Sequence, residues 1–257
     1  YLQVPGAGAD SPNPTLLTDL RITAGGNKLY DALATSGRPR TLSATALTDD
    51  GSPDVADDPG LHKRPRDLDL PPWQKGRYGT AVGRAVHGVL QTIDLATAAG
   101  LAEAVAAQAA AEAVVGHEDH VRTLVEAALR SPSVVAAAAR QHWRELYVGV
   151  PLPDGRVLEG YVDLLYRSDR GLVVVDYKTG PATPGDDLDA LVERYGTQGA
   201  SYALAVGEAT GEPVVDVVFA FLTPEGPVER SLPDLATAVA HVRQLAESGD
   251  PRLTAVG

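Results

Sequence analysis

Gly160-Tyr-Val-Asp163-Leu-Leu-Tyr-Arg-Ser-Asp-Arg-Gly-Leu-Val-Val-Val-Asp176-Tyr177-Lys178-Thr179 is the stretch on which the reading of this chain turns. Val, Leu and Tyr dominate both of its arms, and the connector at 168–171 is polar with a glycine, the pattern of two buried strands joined by a tight turn. The second arm is continuously apolar from 172 to 175, as a strand covered on both faces should be, yet it runs into Asp176 and, two residues on, Lys178. Strand side chains repeat every two residues, so Asp176 and Lys178 are expected on one side. Asp163, thirteen positions earlier on the partner arm, is placed to project to the same spot. Two carboxylates and an ammonium at the mouth of an apolar sheet cost free energy unless they bind something, and a divalent metal with a phosphate answers that charge.

The hairpin sits late in a chain of 257 residues, long enough for one substantial core, or for one core plus a tail. With no cysteine, disulfides, thiolate zinc sites, iron–sulfur clusters and a cysteine nucleophile are excluded. No apolar run reaches the length of a membrane span and the first residues carry no signal pattern, so a soluble, cytoplasmic protein with no membrane partner is expected. The absence of methionine, position 1 included, leads us to expect a piece of a longer polypeptide. A net charge of -12 disfavours a general nucleic-acid coat. Locally the sign reverses: Lys63, Arg64, Arg66, Lys75, Arg77 and Arg84 outnumber Asp67 and Asp69, with Trp73 and Tyr78 between them. That stretch, Lys75, Arg77 and Arg84 above all, reads either as a phosphate-contacting stripe or as a solvated linker.

Upstream, residues 1–70 are rich in Gly, Pro, Ser and Asp and read as a connector without a core of its own, although 40–47 has the makings of a short strand or helix start. From Gly79 the pattern becomes helical, with Val82, Val86, Val89, Leu90 and Ile93 on one face and His87 at its edge. Further helices are expected over 101–115, 118–130 and, from the Ser131-Pro132 start signal, to about 141. Strands are expected over 145–152, 157–167 and 172–177. A helix follows along the stripe from Leu188 to Val206, whose start Gly196 and Gly199 would delay. Then come a strand over 214–222, a loop at 223–227, a short strand near 228–231 and a last helix over 233–247. That order implies an α/β fold: a central mixed β-sheet flanked by helices, with an extra N-terminal helical region and a domain spanning about 71–257.

Asp163, Asp176 and Lys178 with His87 form the first constellation. Mg²⁺ is commonly held by one or two carboxylates with substrate phosphate oxygens, and an imidazole among the ligands makes Mn²⁺ acceptable as well. Lys178 is suited to orienting or deprotonating a water, or to offsetting charge on a phosphate. Taken singly, the aspartates could cap helices, the lysine could merely neutralise one of them, and the histidine could be an ordinary surface residue. Gln198 and Tyr202, four apart on a helix, form the second constellation. Tyr202 alone would read as core, whereas Gln198 could hold a phosphate, a water or the lysine.

Taken together these residues resemble the RecB-type nucleases of the PD-(D/E)xK superfamily, found at the C-terminus of bacterial helicase–nucleases that process broken DNA ends. The resemblance rests on four segments in family order: Gly79-Thr-Ala-Val-Gly-Arg-Ala-Val-His87, Glu159-Gly-Tyr-Val-Asp163, Val175-Asp176-Tyr177-Lys178-Thr179 and Gln198-Gly-Ala-Ser-Tyr202. It implies a restriction-endonuclease-like core. His87, Asp163, Asp176 and the Tyr177 carbonyl would bind one or two Mg²⁺ or Mn²⁺ ions, Lys178 would be catalytic, and Gln198 and Tyr202 would support the site. Many relatives carry four cysteines for an iron–sulfur cluster; this chain has none, and so resembles the cluster-free branch, with the AdnB-like subunits of actinobacterial heterodimeric systems nearest. The implied partners are DNA, an upstream helicase motor and a second helicase–nuclease subunit. The chain itself holds no G-x-x-x-x-G-K-[ST] phosphate loop. The competing expectation is a nuclease-like module that has lost catalysis and serves DNA binding or subunit docking.

Overall fold

A computed structural model describes residues 41–43, 81–152, 157–179 and 188–248. Within them a six-stranded mixed sheet lies between two helical layers. Its strands are β1 (Thr41–Ser43), β2 (His142–Pro151), β3 (Val157–Ser168), β4 (Gly171–Lys178), β5 (Val214–Thr223) and β6 (Gly226–Ser231). The helices are α1 (Ala81–Thr92), α2 (Leu101–Ala111), α3 (Glu118–Arg130), α4 (Pro132–Ala138), α5 (Leu188–Thr210) and α6 (Leu235–Ser248).

β3 is the hub. One edge pairs antiparallel with β2 along its length; the other pairs antiparallel with β4 over 164–168 and parallel with β1 over 157–159. β4 pairs parallel with β5, and β6 closes the far edge antiparallel to β5. Alternation divides the apolar side chains between two cores. Leu172, Val174, Val217, Phe219 and Phe221 face α5 and α6; Val173, Val175, Val218, Ala220 and Leu222 face α1, α2, α3 and α4. That double coverage is why the second arm of the hairpin is unbroken by polar residues until Asp176.

The order of elements follows the sequence expectation, with differences at their ends. α2 stops at Ala111, because Ala113 (φ 58) and Gly116 (φ 94) turn the chain through left-handed geometry. α4 ends at Ala138. β2 starts at His142, and the loop expected at 223–227 shrinks to residues 224 and 225, since Gly226 (φ 138) already pairs with Thr223. α5 is continuous from Leu188 despite its glycines. At Gly199 the reason is packing: a Cβ there would lie 2.8 Å from Phe219 Cζ and from Val217 Cγ1. β1 falls inside the predicted 40–47 segment and joins the sheet; the rest of the 1–70 connector lies outside the described residues.

Candidate active site

Three adjacent strands each bring one carboxylate into a single row. The pairs Arg144↔Leu164 and Leu146↔Val162 set Glu145 of β2 opposite Asp163 of β3, and Leu164↔Val175 sets Asp163 beside Asp176 of β4. The first two strands break alternation at this row. Trp143 and Leu146, three apart, both pack into the core under α5, as do Val162 and Leu165, which a regular strand forbids. Glu145 absorbs the slip on β2 with a left-handed backbone, φ 49, at a cost of about 1–2 kcal/mol for a residue other than glycine. Its side chain turns to the α1 side of the sheet, where His87 Nδ1 is 3.9 Å from its Oε1.

Asp163 occupies the fork at which β4 leaves β3. The ladder between them ends at Leu164↔Val175, and beyond it the Tyr177 amide donates to Asp163 Oδ2 at 2.7 Å. A side chain thus replaces the next ladder bond, and Oδ1 is left to meet His87 Nδ1 at 3.1 Å. His87 is delivered by α1, whose Val82, Ala85, Val86 and Val89 are buried, and its ring stands edge-on to Tyr177 with centroids 5.7 Å apart. Ligand atoms of His87, Glu145 and Asp163 lie within 4.8 Å of one another. One imidazole and two carboxylates make a donor set that fits a divalent metal ion.

β4 keeps its period, so Asp176 and Lys178 face α5. Lys178 Nζ is 2.7 Å from Asp176 Oδ2, donates to Gln198 Oε1 at 2.9 Å and lies 4.0 Å from the centre of the Tyr195 ring. Gln198 Nε2 in turn donates to the buried Tyr202 hydroxyl at 3.0 Å. Of the options open for Gln198, holding the lysine is the one the structure shows. The carboxylates therefore divide: Glu145 and Asp163 face the imidazole, and Asp176 faces the ammonium.

The PD-(D/E)XK nuclease superfamily model matches residues 59–253. The chain belongs to this superfamily. It is 32% identical over 158 residues to an ATP-dependent helicase/nuclease polypeptide of Levilactobacillus brevis, named as the first of that enzyme's subunits, covering 53% of this chain and 12% of that protein. Its likeness to the protein of the same description from Desulforudis audaxviator is 33% over 151 residues, 51% of this chain and 12% of that protein. The chain thus spans about an eighth of the length of these relatives. The solved structure of SSO0001 is similar over 88% of this chain and 84% of its own, at TM-score 0.34 and 13% identity, too remote to bear on the site.

In this PD-(D/E)XK nuclease domain the electrostatics follow from burial and the carboxylate row. Burial alone would lower the His87 pKa, but Asp163 at hydrogen-bond distance, with Glu145 and Asp176 behind it, raises it to about 9. Burial would raise Asp163, and His87, the Tyr177 amide and Lys178 together hold it below the usual carboxylate range. Asp176 goes the other way: burial pushes it well up, and Asp163 adds to what Lys178 offsets only in part. Such a charge cluster is what a divalent cation stabilises.

Other expected site residues fall as follows. Tyr177 is buried between the two β4 charges, its amide committed to Asp163. Arg84 Nε donates to Glu112 Oε2 at 2.7 Å with both side chains largely buried, so its charge ties α1 to the end of α2. Lys75 and Arg77 lie outside the described residues. Two members of the site escaped the sequence reading. Glu145 stood at the expected start of a strand, and only an acidic residue interrupting the alternation of Trp143 and Leu146 hinted at it. Tyr195 lay on an apolar helical stripe and reads as core.

Proposed function

We propose that this chain is the DNA-cutting domain of a bacterial helicase–nuclease, hydrolysing phosphodiester bonds at single-stranded DNA ends during double-strand-break processing and recombinational repair in the cytoplasm. The observation that carries this reading is the convergence of His87, Glu145 and Asp163 within 4.8 Å, one strand away from the Asp176–Lys178 pair. A Mg²⁺ or Mn²⁺ ion, or two, held by His87, Asp163, Asp176, the Tyr177 carbonyl and Glu145, would supply Lewis acidity and acidify water.

The chain's own groups do the rest. As a ligand His87 would be the neutral imidazole, having given up a proton, and Asp163 at 3.1 Å from Nδ1 holds the ring in place. Lys178, fixed between Asp176 and Gln198, sets a positive charge where a phosphate gains negative charge as it is attacked, and Gln198 and Tyr202 hold the lysine there. The relatives' description as helicase/nuclease subunits supports a motor elsewhere in the full polypeptide and a second polypeptide as its partner; the lack of cysteine is what likens the chain to the cluster-free AdnB-like subunits. No described helix is long and apolar enough to cross a membrane.

The test is digestion of single-stranded DNA with Mg²⁺ or Mn²⁺. Asp176→Ala abolishes cleavage in a protein that still folds, and Lys178→Met lowers kcat by about 10²–10³-fold while leaving Mn²⁺ affinity in place. Normal digestion by a well-folded Asp176→Ala protein would defeat the reading.

A further inference from the structure

Tyr147 is the exposed aromatic among the described residues, 43% accessible where the others are buried or half-buried. It sits two residues along β2 from Glu145, and its register partner Tyr161 sits two residues along β3 from Asp163. Leu146, Val148 and Val162 pack into the core under α5, so alternation places both tyrosines on the opposite face, the one on which His87 meets the carboxylates. Two strand residues span about 7 Å. The aromatic pair is therefore the row immediately next to the carboxylate row.

The Tyr147 ring is held in place. Tyr161 meets it edge-on, centroids 5.4 Å apart at 61°, and the Tyr147 hydroxyl donates to the Glu159 carboxylate. A ring fixed at both ends offers a flat face with little rotamer freedom left to lose on binding. Glu159 holds its hydroxyl, and Glu145 and Asp163 lie one row away, so without a bound cation this surface repels a phosphate and the ring itself offers no charge. What it offers is a stacking face, and every base has a π-face to match.

Resting on the nuclease reading above, we infer that Tyr147 is a stacking platform for the base next to the scissile phosphate of a single-stranded DNA substrate, with Tyr161 as its buttress. A strand whose phosphate reaches the carboxylate row and that runs along β2 and β3 lays its adjacent nucleotide across this pair. Only an unpaired base can present its face there, because a base inside a duplex is already stacked on both sides.

The experiment measures binding of three ligands to the full chain with Mn²⁺ present, in a Lys178→Met background that keeps the metal ligands while slowing cutting. The ligands are an oligothymidylate, an oligomer of the same length with abasic sites, and a duplex. Adding Tyr147→Ala or Tyr147→Ile, the latter suited to a strand but without a ring, weakens oligothymidylate binding by about 5- to 150-fold, the range expected for the loss of one base stack. Tyr147→Phe binds as its parent, and binding of the abasic oligomer and the duplex is unchanged by all three. The inference is overturned if both ring-less variants bind oligothymidylate like the parent, or if they lose the abasic oligomer equally. Wild-type protein that neither binds Mn²⁺ in calorimetry nor cuts DNA overturns the nuclease reading and this inference with it. Wild-type protein that does both, with ring-less variants that bind normally, overturns this inference alone.

Discussion

Loading His87 with a metal should release a proton, and the structure sets the size of the effect. With Asp163 at 3.1 Å and Glu145 at 3.9 Å, His87 titrates at about 9, against an ordinary 6.5. At pH 7.5 it is almost wholly protonated, whereas a metal ligand must be the neutral imidazole. Mn²⁺ binding at that pH should therefore release about one proton per ion, and affinity should rise nearly tenfold per pH unit up to about 9 and then level off. Calorimetry in buffers of different ionisation enthalpy reads the proton count directly, and His87→Gln should reduce it to near zero. The metal-free protein responds with the opposite sign. A raised folded pKa gives stability that is fully present below 6.5 and lost as pH climbs through about 9. With about a quarter of the ring exposed, that loss is ~2–3 kcal/mol. Metal-free protein should thus denature at lower urea concentration at pH 9.5 than at pH 6. Mn²⁺ affinity that is flat between pH 7 and 8.5, with no proton release, would refute the imidazole–carboxylate pairing as the seat of metal binding.

Two further outcomes follow from named contacts. Glu145→Gln keeps the volume but removes one of the two carboxylates facing His87, and should weaken Mn²⁺ binding by about 10–100-fold with far-UV circular dichroism unchanged; unaltered affinity would remove Glu145 from the site. Glu229 of β6 accepts from the Ser133 amide at 2.8 Å and from the buried Ser131 hydroxyl, capping α4 from another element. Glu229→Ala should cost ~1–3 kcal/mol in urea unfolding while DNA cleavage at low temperature is retained.

The arms of the β3–β4 hairpin are apolar wherever both faces are covered and charged where coverage stops, so Asp163, Asp176 and Lys178 stand out against their surroundings. The periods of α1 and α5 are clear enough to put His87 at the edge of one buried face and Gln198 and Tyr202 one turn apart on another. These are local properties, written into the spacing of side chains along single elements.

Glu145 and Tyr147 could not be read this way, because each acquires its meaning from a neighbour distant in sequence. Glu145 becomes part of the site only when β2 pairs in register with β3 and both strands slip by one residue at the same row. The division of labour among the carboxylates was also hidden. Asp163 turns to His87 and Asp176 to Lys178 because β4 parts from β3 just beyond Leu164↔Val175, a fork made by the pairing of three strands and marked by no residue type. Composition and periodicity determined which side chains are too charged to lie idle in an apolar sheet. Only the tertiary pairing decided which of them face one another, since separations of a few ångströms between strands depend on register and twist, which single-strand spacing does not encode.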